Sequence, residues 1–262
     1  MTGDFFDKGW VSFAPDPAVE AWAAHALDHA KRAVQAPENA HLHECEGTWF
    51  VGLDALPNDA RGQLEGGPSL VGAAVAFATQ HCGGWPDLHP AQLSVIYPGY
   101  PKPRAGESEA GFRYRRDRDA AHVDGIIGLG TPKRRFVQEP HAFVLGIPLT
   151  DAAADAAPLV VWEGSHHIMR AALQAAFADV ASGALSQVDV TDIYQKARRE
   201  AFETCGRIAV PAPLGSVSLM HRLTLHGVAP WAPGARAAPE GRMIAYFRPE
   251  MAGGVAAWLS AP

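Results

Sequence analysis

From residue 92 onward the chain is written in short β-type runs cut apart by proline and glycine: 93–97, 125–129, 142–149, 159–162, 207–210, 217–225 and 242–247. Many short strands with such punctuation predict a mainly β architecture with flanking helices: a sandwich, a barrel or a jelly roll. One stretch at about 168–204, formed by 168–181 and 189–203, is rich in Ala, Gln, Lys and Glu and reads as a helical insertion covering the β core. Upstream, Pro17–Gln35 is Ala-rich with apolar positions at helical spacing, and Asp16-Pro17 supplies a start signal. A second helix is expected over 68–82, capped by Ser69, with Leu70, Val71, Ala74, Phe77 and Ala78 as its apolar stripe. All-β barrels and sandwiches commonly reach ~200–250 residues as one unit. The 262 residues are therefore read as a single domain, with a helical N-terminal part at about 1–90 and a β core at about 91–250.

Acidic residues outnumber basic ones 28 to 22, and no long basic run appears, which argues against nucleic acid or an anionic membrane as partner. The N-terminus lacks a basic stretch followed by an apolar one, and no apolar window approaches the ~20 residues of a membrane span. The three cysteines, Cys45, Cys82 and Cys205, are an odd number without close pairing, as suits a reducing compartment. A cytoplasmic protein acting on a small molecule is expected. Oligomeric state is not legible.

The chemistry centres on Ala-His-Val-Asp-Gly, 121–125. On a strand, residues i and i+2 face the same side, so His122 and Asp124 can reach one metal ion. Two histidines and a carboxylate form the set that holds non-haem ferrous iron on one face and leaves the opposite positions for O2 and an organic acid. His166, His221 and His226 compete for the third place. If 217–225 continues as one strand, His221 and His226, five apart, face opposite sides and at most one points inward. The metal-like His41-Leu-His43-Glu-Cys45 has no second cluster at ligand spacing and reads as a polar strand or loop leading into Trp49. Arg113, Arg115, Arg116 and Arg118 precede the His-x-Asp strand. They either line a mouth for an anionic substrate or form a solvated edge partnered by Asp117 and Asp119.

The order of His122-x-Asp124, then Gly215-Ser-Val-Ser-Leu-Met-His-Arg-Leu-Thr-Leu-His-Gly-Val-Ala-Pro, then Arg242 opening Met-Ile-Ala-Tyr-Phe, resembles the phytanoyl-CoA dioxygenase family of iron and 2-oxoglutarate dependent oxygenases. The resemblance covers roughly residues 90–250. It implies a double-stranded β-helix, the cupin-like jelly roll, with Fe(II) as metal, 2-oxoglutarate as co-substrate, and O2. The implied reaction is hydroxylation of an unidentified small molecule with release of succinate and CO2. Members that halogenate lack the carboxylate ligand, and Asp124 is present. The resemblance selects His226 as the third ligand and puts His221 where the family often has a histidine that is not one. It also places Arg242 where the co-substrate arginine falls, and a guanidinium suits a distal carboxylate that must be paired inside a low-dielectric barrel. The family often has a hydroxyl residue and an asparagine after the distal histidine; here stand Val228 and Trp231, leaving Gln92, Tyr97 or Thr224 to complete that pocket. Glu163 likewise replaces the proline of a Pro-Gly-Ser-His strand end. Two other readings compete: a cupin-type metal enzyme that does not use 2-oxoglutarate, and a jelly-roll binding module with structural histidines.

Overall fold

The computed structural model describes residues 2–262. Its elements run α1 (Thr2–Lys8), β1 (Trp10–Phe13), α2 (Pro17–Gln35), β2 (His43–Glu44), β3 (Trp49–Leu56), α3 (Ala73–His81), β4 (Ala91–Ile96) and α4 (Glu109–Asp117). They continue with β5 (Ile126–Leu129), β6 (Arg134–Val137), β7 (Phe143–Pro148), β8 (Leu159–Trp162), α5 (Ser165–Phe177), α6 (Thr191–Thr204) and β9 (Arg207–Ala209). The chain then forms β10 (Val217–His221), β11 (His226–Val228), β12 (Arg242–Phe247) and α7 (Gly254–Ser260). A seven-stranded sheet in the order β1-β10-β7-β12-β4-β3-β2 faces a three-stranded one in the order β11-β8-β9, and β5-β6 form a separate hairpin.

Alternation along the strands explains this layering. In β7, Phe143, Leu145 and Ile147 join the core against α2 and α3, while Val144 on the opposite face packs with Leu159, Val161 and Met220 between the two sheets. The seven-stranded sheet therefore has helices behind it and the roll interior in front, so all six residues of β7 are buried. On the other side, Val160 and Trp162 turn outward onto α5 and α6, where Met169, Leu173 and Tyr194 meet them. The result is the mainly β double-stranded β-helix expected from the sequence, flanked by helices on both faces.

Helix α2 falls at its expected bounds, with Asp16 Oδ1 accepting from the Ala18 amide at 2.8 Å. Other expectations need correction. The second helix begins at Ala73, not 68; Gly72, at φ 120°, turns the chain into it, so Ser69 caps nothing and Val71 is left exposed. Residues 1–90 are not only helical: β1 pairs with β10 and β3 with β4, extending the large sheet from both directions. Ser165 and His166 do not close a strand; Gly164, at φ 80°, ends β8 and they open α5. The run 217–225 is not one strand either. It breaks after His221, and β10 and β11 lie in different sheets. Among the described residues, the three cysteines are free and no helix is long and apolar enough to cross a membrane.

Candidate metal centre

The chain carries His122 and His226 on facing segments joined by a reciprocal pair of main-chain hydrogen bonds, His122 N to His226 O at 2.8 Å and His226 N to His122 O at 3.0 Å. This pairing fixes their relative register before any side chain is considered. Two glycines make the approach possible. A Cβ on Gly227 would sit 2.2 Å from the Asp119 carbonyl oxygen, and one on Gly125, which has φ 80°, would sit 2.0 Å from the Glu139 carbonyl oxygen. The glycines in Asp124-Gly125 and His226-Gly227 are therefore demanded by backbone contacts. Gly227→Ala is expected to cost at least ~2 kcal/mol in urea unfolding, because the atom it strikes is backbone. Gly183→Ala, with nothing within 4 Å of its new Cβ, serves as the silent control.

The side chains converge. His122 Nε2 lies 3.1 Å from Asp124 Oδ1 and His226 Nε2 lies 3.7 Å from Asp124 Oδ2. The three candidate donor atoms fall within 4.8 Å of one another. Each imidazole also donates its Nδ1–H to a carbonyl two residues upstream, His122 to Ala120 O at 3.0 Å and His226 to Thr224 O at 2.9 Å. That bond fixes the tautomer and leaves both Nε2 lone pairs directed at the carboxylate. Bare lone pairs facing a carboxylate repel one another unless a cation lies between them, so the donor set fits a divalent metal.

Electrostatics agree. Burial pushes His226 down to about 4, so its imidazole is neutral and able to ligate at neutral pH. Burial alone would favour a neutral Asp124, yet the pull of His226 and His122 in their protonated forms, and of Arg248, holds its carboxyl well below the usual range, and with both imidazoles neutral a bound cation would supply that pull. His122 keeps 47% of its side-chain surface exposed while Asp124 and His226 keep 10% and 9%, so the group opens to solvent on the His122 side.

The helical insertion supports both ligand segments. The Val123 amide, between His122 and Asp124, donates to Tyr194 Oη of α6 at 3.0 Å. The Leu225 amide, immediately before His226, donates to Ser165 Oγ of α5 at 2.9 Å.

The competing histidines sit elsewhere. His221 accepts from the Leu223 amide through Nδ1 and faces Arg170 through Nε2 at 2.9 Å, and His166 Nε2 meets the Phe6 carbonyl at 2.9 Å. Burial keeps both neutral, His166 at about 4 and His221 well below its ordinary value. The strand break places His226, not His221, beside His122. His41, His43 and Cys45 form no metal-ligand group among the described residues.

A cavity of about 440 Å³ opens over the three residues. Of the proposed co-substrate residues, Gln92 lines it, while Tyr97 and Thr224 do not. Thr224 is fully buried and its hydroxyl donates to the Gly9 carbonyl at 2.7 Å, so it is committed to joining the two turns. Arg242 lies against smaller cavities, one of which shares Leu159 and Tyr246 with the large one. It is 3% exposed, has no ion pair with a described carboxylate, and its Nη1 lacks a hydrogen-bond partner. The arginine run belongs to the helix α4 and its end, not to the cavity wall. Arg115 pairs with Glu107 at 2.6 Å, Arg116 with Asp117 at 2.7 Å, and Asp119 instead receives Arg207 at 2.7 Å.

The cavity's cations are Arg104 and Arg248, and its aromatic wall is Trp49, Tyr100 and Tyr246. Arg248 follows β12 at the parity of Arg242 and can be read from the sequence as its neighbour, whereas Arg104 and Tyr100 lie in a Pro-rich loop with no periodicity to mark them.

No family model matches the chain, and no curated protein matches it. Solved structures do. The non-heme alpha ketoglutarate dependent carbocyclase SnoK from nogalamycin biosynthesis superposes with TM-score 0.51 and 15% identity, over 97% of this chain and 86% of that one. The non-heme alpha ketoglutarate dependent epimerase SnoN from the same biosynthesis gives TM-score 0.51 and 14% identity, over 99% and 85%. SnoN in complex with Fe3+, alpha ketoglutarate and nogalamycin RO gives 0.50 and 14%, over 98% and 86%. The likeness is one of fold. It runs over nearly the whole of this chain.

Proposed function

We propose that this protein is a non-haem Fe(II)- and 2-oxoglutarate-dependent oxygenase of the phytanoyl-CoA dioxygenase type, acting on a small molecule and favouring hydroxylation. The observation that carries the reading is the convergence of two tautomer-fixed Nε2 atoms and one carboxylate on a single point at the floor of a cavity. His122, Asp124 and His226 would hold the metal. Arg242 would pair the distal carboxylate of the co-substrate. A buried guanidinium without a carboxylate is costly, and an anionic ligand supplies what the chain itself does not.

When bound, iron, 2-oxoglutarate and O2 supply the oxidising power, the co-substrate leaving as succinate and CO2. The chain positions and shields. The main-chain bridge and the contacts from Tyr194 and Ser165 set the ligand geometry, and Asp124 and His226 are buried while His122 faces solvent. Asp124 occupies the carboxylate position itself, which supports hydroxylation over halide transfer.

The test is iron content after anaerobic purification, paired with succinate formation from 2-oxoglutarate in the absence of substrate. One iron per chain and slow, iron- and O2-dependent succinate release are expected. Iron without succinate would favour a cupin-type enzyme that does not use 2-oxoglutarate; neither would leave a binding module.

A further inference from the structure

Leu53, Gln92, Ile127, Tyr246 and Arg248 line both the cavity over the metal group and a second one of about 480 Å³, so the two are lobes of one cleft. The lobes differ in charge. In the first, Asp119 is held by Arg207 at 2.7 Å and Arg104 faces Glu44 at 3.2 Å, so its ionic groups already have partners. The second brings together Asp54, Glu139 and Glu250, none of which pairs with a lysine or arginine among the described residues. The arginine in its wall, Arg248, has its Nη1 3.8 Å from Asp124 Oδ2.

His141 lines the same lobe. It is 9% exposed and makes no hydrogen bond of good geometry from either ring nitrogen; its polar neighbours are Glu139 Oε2, 3.4 Å from Nε2, and the main chain of Arg248. Burying an imidazole without a well-formed hydrogen bond is unfavourable, and a ligand N–H would complete it. Asp54 enters the cleft from a register shift in β3 between Gly52 and Leu56, with φ 52°. Such a bulge re-aims a side chain out of the regular alternation.

We propose that this acidic lobe recognises a cationic amine on the substrate, whose apolar body lies across the first lobe beside Trp49 and Ile127. The carboxylates of Asp54, Glu139 and Glu250 balance the ammonium charge, and His141 accepts one of its N–H bonds through an unprotonated ring nitrogen. The inference rests on the metal-centre reading only for which lobe holds the reacting carbon.

Phenethylamine and 3-phenylpropionate, alike in ring and length and opposite in charge, are suitable probes. In calorimetric titrations of the protein supplied with Mn(II) and 2-oxoglutarate, the amine is expected to bind at least about 10-fold more tightly than the acid. The triple variant Asp54→Asn, Glu139→Gln, Glu250→Gln should erase that preference, since all three are exposed and the fold does not depend on them. His141→Phe should weaken the amine and leave the acid unchanged. Absence of amine binding, equal binding of the two probes, or an amine affinity untouched by the triple variant overturns the proposal. Repeating the titrations without metal separates the two readings: an amine preference in a protein that fails to hold Mn(II) keeps the lobe's assignment and removes the metal centre.

Discussion

Asp124→Ala is expected to leave the protein unable to retain iron through anaerobic purification, with affinity lowered by more than about 100-fold, while far-UV circular dichroism is unchanged. Loss of an outer partner of a ligand already costs ~10–100-fold, and Asp124 supplies donor oxygens itself. The fold should survive, because the surrounding main chain is held independently of that side chain: Val123 N by Tyr194 Oη, and Gly125 O by the Gln138 amide at 2.9 Å. His122→Ala and His226→Ala should behave alike. His221→Ala should keep its iron, since that ring is committed to Leu223 and Arg170. Stoichiometric iron in His226→Ala, together with loss in His221→Ala, would falsify the ligand set.

Arg242→Met should raise the 2-oxoglutarate concentration needed for half-maximal succinate formation by about 30- to 1000-fold without changing iron content. Truncating one partner of a buried charge pair costs ~2–4 kcal/mol, and each 1.4 kcal/mol is tenfold. Methionine fills the stem's volume, so the effect reads the lost guanidinium, not a cavity. Arg248→Met is the informative comparison, for its guanidinium lies beside Asp124 instead of beside the smaller cavities. A larger 2-oxoglutarate effect at Arg248 than at Arg242 would transfer the co-substrate role to it.

The sequence carried the β core well, because half-buried strands with proline and glycine between them leave a local trace; β8 and β12 fall at their expected bounds. It carried less of the first ninety residues. β1 has only four residues, and in β3 Trp49, Phe50 and Val51 are apolar on both faces, so no alternation marks the strand before the bulge beyond Gly52 interrupts it. The break after His221 was invisible for another reason: Arg222, Leu223, Thr224 and Leu225 are all buried, so hydropathy runs on through a turn that leads from one sheet to the other. Resemblance and spacing named His122, Asp124 and His226, which the fold brings together. They did not reach Arg104, Tyr100 or His141, whose place in the cleft depends on loops and on the packing of distant strands.

The helices that interrupt the β core set the order in which this molecule should come apart. Tyr194 and Ser165 grip the two ligand-bearing segments from α6 and α5, and those segments contribute nothing to the seven-stranded sheet. A partial opening that lifts the helical layer would loosen both arms of the centre at once while the larger sheet still stands on α2 and α3. Metal would then leave from a molecule that is still mostly folded, and loss of the ion would report the weakest layer of the protein before global unfolding begins.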